Sequence, residues 1–222
     1  MHRILEICCA SYTSALAAQS GGADRIELCM GLELDGLTPS AGMLLKTRQA
    51  LSIPIFVLIR PRAGNFCYSE HEMEVMLEDI AQAKTMGADG IVCGALQADG
   101  QLHYEQTARL VVASHPLPFT FHRAIDVCTA PLEAIDQLAA LGVSRILTSG
   151  GAPNAPTGAE SLKQYIDYAG QRLRIMAGGG IRPDNLAALL QAAPLQEVHS
   201  SARPAGGIET SSGVVEQLRL LV

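Results

Sequence analysis

The sequence predicts an α/β fold, a single-domain (β/α)8 TIM-type barrel over residues 1–222, and three observations carry that prediction. A helix-ending glycine, a short polar step and an apolar run recur as Gly22-Ala23-Asp24-Arg25-Ile26-Glu27-Leu28, Gly87-Ala88-Asp89-Gly90-Ile91-Val92 and Gly142-Val143-Ser144-Arg145-Ile146-Leu147. The glycine suits the residue after a helix, where positive φ is needed. Short β-rich runs alternate with helical stretches eight times. The length also fits, since such barrels have a lower limit of roughly 200 residues and a usual size of roughly 250.

In chain order the expected strands are Ile4 to Cys9, Arg25 to Cys29, Ile55 to Arg60, Gly90 to Gly94, Phe119 to Arg123, Arg145 to Ser149, Arg174 to Ala177 and Glu197 to Ser200. Between them, Ser69-Glu70-His71-Glu72 has capping-box spacing ahead of Val75-Met76-Leu77. Pro131, Pro183 and Pro39 stand where a first helical turn begins. A doubly wound open sheet is the alternative, but it would carry a glycine-rich turn after its first strand. Ile7-Cys8-Cys9-Ala10-Ser11-Tyr12 has no glycine, which also argues against a nucleotide cofactor.

Composition narrows the partners. With 48% apolar and 17% charged residues the chain can bury one sizeable core. A net charge of −6, 4% aromatics and no Trp disfavour nucleic acid. No apolar run approaches the roughly 20 residues of a membrane span, and Met1-His2-Arg3-Ile4 runs into a strand without a signal peptide, so a cytoplasmic location is expected. The six cysteines, none in a C-x-x-C pair, are then expected to be thiols.

Barrel chemistry belongs at the C-terminal strand ends. There the sequence places Glu6 and Cys8, Glu27 and Cys29, Arg60 and Arg62, Thr120 and His122, Thr148, and His199 with Ser200 and Ser201. One reading makes these a buried ion network, Glu6 and Glu27 being neutralised by Arg60 or Arg62. The other makes them a functional mouth, with Glu6, Glu27, Arg60, His122 and His199 as catalytic candidates. Gly178-Gly179-Gly180 after the seventh strand, with Arg182, and Ser201 and Arg203 after the eighth, have the placement of a barrel phosphate site. Lys46, Lys84 and Lys163 all fall in helical stretches, so Schiff-base chemistry has no nucleophile. Cys8 and Cys29 stand at one expected level, where paired soft thiolates favour Cu(I), with Met30 as a further thioether; as small buried hydrophobes they would serve packing alone.

Leu5-Glu6-Ile7-Cys8, Gly21 to Cys29, Leu37-Thr38-Pro39-Ser40, Ile59-Arg60-Pro61-Arg62, Phe66-Cys67-Tyr68-Ser69, Thr120-Phe121-His122-Arg123-Ala124, Leu147-Thr148-Ser149-Gly150 and Val198-His199-Ser200-Ser201-Ala202 together resemble the CutC family. The resemblance runs from Leu5 to about Arg203 with the motifs in order. It implies a (β/α)8 barrel, a cytoplasmic homo-oligomer (dimer or tetramer), and copper homeostasis with Cu(I) at Cys8 and Cys29. The chain departs from the family after the eighth strand, where Pro204 to Gly213 is a shortened Gly- and Ser-rich link to the last helix.

Three functions follow. One is a copper-handling protein that binds Cu(I) through Cys8 and Cys29. A second is an enzyme acting on a small anionic, phosphorylated metabolite: Arg62, Gly178, Gly179, Gly180, Ser201 and Arg203 hold the anion, while Glu27 and His122 move protons. A third is an interaction surface such as the exposed face of the helix from Glu72 to Lys84, which predicts no particular residue.

Overall fold

A computed structural model describes residues 2–222. Eight strands and eight helices alternate: β1 (Ile4–Cys9), α1 (Tyr12–Ser20), β2 (Arg25–Leu28), α2 (Ala41–Ala50), β3 (Ile55–Leu58), α3 (Glu70–Thr85), β4 (Gly90–Cys93), α4 (Tyr104–Ser114), β5 (Phe119–Phe121), α5 (Pro131–Ala140), β6 (Arg145–Thr148), α6 (Ala159–Ala169), β7 (Arg174–Gly178), α7 (Pro183–Ala192), β8 (Glu197–Ser200) and α8 (Ser212–Arg219). The strands are parallel and close in sequence order, β8 pairing with β1.

The expected signals act where they stand. Gly22, Gly87 and Gly142 follow α1, α3 and α5 with φ of 87°, 88° and 77°. Ser69 and Glu72 form the capping box of α3, which buries Met73, Met76, Ile80 and Ala83. Pro131 and Pro183 open α5 and α7. Pro39 does not enter a helix: Ser40 caps α2 by accepting a hydrogen bond from Met43 N, and Pro39 precedes that cap. Several strands end one or two residues earlier than the sequence suggested, because pairing tapers to single bonds. Cys29 N still donates to Cys9 O and Ile59 N to Val92 O.

Strand alternation sorts side chains into two compartments. Outward residues such as Leu5, Ile7, Ile26, Leu28, Ile55, Val57, Ile91 and Cys93 join one large core with the helices. The inward apolar cluster is small, consisting of Cys8, Cys29, Phe56, Leu58 and Val92. Apart from Leu147 and Met176, most of the remaining inward side chains are polar or charged. Register sets Glu6 beside both Arg25 and His199, Cys8 beside Glu27, Val92 beside Thr120, and Thr120 beside Arg145. Barrel interiors are more often filled with branched aliphatics. Here the Phe56 ring takes that space, with the Arg25 and Arg145 guanidinium carbons each 5.0 Å from its centroid.

After β8 the chain turns at Gly207, whose N–H donates to Pro204 O. It is then tied to α1: Ser11 and Ser14 donate to the Glu209 carboxylate, and Thr210 N donates to Ser14 Oγ.

Candidate functional site

A buried ion network occupies the barrel below its mouth. Glu6, fully buried, pairs with the Arg25 Nε and accepts or shares the proton of His199 Nδ1 at 2.7 Å. Arg25 also pairs with Glu197, and Glu197 with Arg145 at 3.0 Å. Buried charges persist when paired and hydrogen-bonded. The partners differ from those expected, since Arg25 and Arg145 neutralise the carboxylates while neither Arg60 nor Arg62 touches Glu6 or Glu27. Burial pushes the Glu6 carboxyl up, but Arg25's charge together with the hydrogen bond and charge of His199 outweighs it and brings the value down to about 2. Burial pushes His199 down, and its bond to Glu6 with the charges of Glu27 and Glu6 raises it above its ordinary value.

Above the network opens a cavity of about 440 Å3 at the C-terminal ends of the strands. Of the sequence-predicted residues, Cys8, Glu27, Arg60, His122, His199, Gly179, Gly180, Ser201 and Arg203 line it. Glu6 stays beneath, bonded to His199. Gly178 lies within β7, where a Cβ would stand 2.5 Å from Leu147 Cδ1 and 3.3 Å from His199 Cβ, so its lack of a side chain makes room for packing. Arg62 leaves the mouth altogether. It binds Glu72, donates to Cys67 O at 2.7 Å and lies over the Tyr68 ring, securing the loop before α3. Thr148 also turns away, donating to Asp126 Oδ1, because Leu147 holds the inward position of β6.

Three buried side-chain atoms around the cavity have no protein partner, namely Glu27 Oε2, Arg60 Nε and His122 Nε2. Arg60 is 3% exposed, and its Nη1 and Nη2 donate to the carbonyls of Leu34, Gly36 and Gly64. Among the described residues no carboxylate pairs with it. His122 Nδ1 accepts from Ala124 N at 3.3 Å, so the neutral ring carries its proton on Nε2. Burial and Arg60's charge hold its pKa down at about 3. Near neutral pH the His122 imidazole is therefore neutral and carries Nε2–H as a hydrogen-bond donor. Glu27 is pushed up by burial.

Cys8 and Cys29 stand with their Sγ atoms 3.6 Å apart, and Cys8 Sγ donates to Glu27 Oε1 at 3.5 Å. In the strand register Cys8 pairs with Glu27, and Cys29 stands just past the end of β2, where its sulfur reaches that of Cys8. Cys8 faces the cavity and Cys29 is sealed behind it. The bond with Cys29 and burial raise the Cys8 thiol well above its usual range. One donor atom each from Cys8, Glu27 and His199 lie within 4.8 Å of one another. Thiol, imidazole and carboxylate in that arrangement fit a transition metal, the sulfur and nitrogen donors being suited to copper. Met30, expected as a further thioether, is 44% exposed and does not line the cavity.

Sequence reasoning missed Arg25, Arg145 and Glu197 below the mouth, and Phe66, Arg123 and Asp126 at its wall. The first three share the inward parity of Glu27, Leu147 and His199 two residues earlier. Asp126 secures the loop after β6, accepting from Ser149 N and Gly151 N, and pairs with Arg123 at 2.8 Å.

A mouse protein named copper homeostasis protein cutC homolog (Mus musculus) is 48% identical over 90% of this chain and 74% of its own. The human protein of the same name (Homo sapiens) is 47% identical over 90% of this chain and 73% of its own. A solved CutC structure from Streptococcus agalactiae superposes with a TM-score of 0.85 at 33% identity, covering 90% of this chain and 98% of that one. The CutC family profile matches residues 3–204, and the chain belongs to the CutC family.

Proposed function

We propose that the chain acts in copper homeostasis, the role in its relatives' names, by binding Cu(I) at Cys8 with Cys29, with Glu27 and His199 beside them. The observation that carries this reading is the sulfur pair at 3.6 Å, backed by the Cys8, Glu27 and His199 donor cluster. Copper would replace the thiol protons, so uptake releases protons and strengthens as pH rises. The reading belongs to a cytoplasmic homo-oligomer, a dimer or tetramer, in a compartment where thiols stay reduced. Among the described residues no helix is long and apolar enough to cross a membrane. Titrating reduced protein against a competing Cu(I) chelator tests it. The Cys8→Ser, Cys29→Ser double variant is expected to lose more than about 100-fold in affinity, beyond the loss that follows removal of an outer-shell partner. Unchanged affinity removes the site.

A second reading is favoured by Arg60. A buried guanidinium without a carboxylate is costly, and here it faces a cavity lined by four arginines (Arg60, Arg123, Arg182, Arg203) and three carboxylates (Glu27, Asp35, Asp126). In a chain of net charge −6 this is a local positive basin. It supports a mouth that receives a small anionic metabolite, with Glu27 and His199 as the acid–base pair.

A further inference from the structure

Resting on the second reading, we infer that Arg60 and His122 form a receptor for a planar oxyanion, the carboxylate of a small phosphorylated acid, whose phosphate end sits at the Gly179-Gly180 turn beside Arg182 and Arg203. The receptor follows from the unmade hydrogen bonds. Arg60 Nε–H and His122 Nε2–H are both donors, both buried and both without a protein acceptor. An unsatisfied buried donor costs about 1–3 kcal/mol, and the two residues that carry these donors both line one cavity, from which an outside acceptor is the partner they lack. Neither group can turn away. Three carbonyls hold the guanidinium, and Ala124 N holds the imidazole through Nδ1.

Phe66 lies against both groups. The Arg60 guanidinium carbon stands 5.0 Å from its ring centroid, and the His122 ring centroid 4.8 Å away. The apolar ring keeps water from solvating the two donors from its side, which strengthens their bond to an entering oxyanion. Because burial and Arg60 keep His122 neutral, it donates one hydrogen bond without adding charge, and a single carboxylate balances Arg60.

The far side of the cavity has different chemistry. Gly179 and Gly180 have φ of 95° and 71°, and a Cβ on Gly180 would stand 2.9 Å from Asn154 Cβ. Such a turn brings backbone close to a ligand, and consecutive backbone N–H groups suit a tetrahedral anion. Arg182 and Arg203 line the same side and reach no carboxylate within ion-pair distance among the described residues. Two anionic ends held by separated arginines within about 440 Å3 define a small bifunctional acid.

Calorimetry with 2-phosphoglycolate, inorganic phosphate and acetate separates the parts. The expected result is 2-phosphoglycolate binding about 100-fold tighter than either single-ended anion. In 15N NMR of histidine-labelled protein, the His122 Nε2 resonance should move with 2-phosphoglycolate and not with phosphate. His122→Leu should lose about tenfold of the 2-phosphoglycolate affinity while leaving phosphate binding unchanged, and His122→Gln, which restores a donor, should recover it. Equal affinity for phosphate and 2-phosphoglycolate, or a His122 resonance that stays still, overturns the oxyanion receptor and leaves the anionic mouth standing. Absence of binding by all three anions overturns both.

Discussion

Glu6 shows how one carboxylate sets the state of its neighbours. It has no contact with water, yet ionisation is favoured because Arg25 and His199 both donate to it. Glu6→Gln should therefore lower the His199 pKa, which an NMR titration of the imidazole reads directly; an unmoved value would show that Glu6 does not hold that proton. The same substitution leaves Arg25 with Glu197 alone and should cost about 3 kcal/mol in urea denaturation. The sign of the pH effect follows from His199 itself. Its raised value stabilises the fold below the ordinary histidine pKa, and that contribution disappears as pH climbs through the folded-state value. Glu6→Gln should flatten this alkaline decline.

At the scale of elements, β3 and β4 fit together through an absence. A Cβ on Gly90 would stand 2.6 Å from the Phe56 ring, and that ring has two guanidinium groups packed against it. Gly90→Ala should destabilise by about 1–3 kcal/mol through overpacking. Gly42→Ala in α2, where a Cβ meets nothing within 4 Å, should instead stabilise by about 0.5 kcal/mol; denaturation midpoints of the two variants provide the comparison. The eight strand–helix units were legible because short β-rich runs and helix-ending glycines are local signals. Glu27, His122 and His199 were legible by strand parity, and Arg60 because it extends β3 by two residues. Arg62 and Met30 were not, since beyond a strand the loop, not the pleat, sets side-chain direction; Arg62 turned to Glu72. Arg25, Arg145 and Glu197 were hidden because charged residues at strand beginnings look like solvent-facing linkers.

For the molecule as a whole, the barrel interior balances two carboxylates, Glu6 and Glu197, with two arginines, Arg25 and Arg145. The depressed Glu6 carboxyl contributes stability that is fully present above its ordinary value of 4.5 and is lost as pH falls toward about 2. Urea midpoints should accordingly hold steady down to about pH 5 and fall steeply below it, and Glu6→Gln should remove much of that slope. A wild-type midpoint that stays flat across this range would mean that the pairs contribute little. The Phe56 ring, with Arg25 and Arg145 packed against it, also shapes the space below the mouth. It fills the axis beneath the mouth, so the barrel interior is a packed core and not a pore, with the cavity at its C-terminal end. A ligand held there would meet Arg123, Arg182 and Arg203 in the cavity wall and no passage through the barrel beneath it.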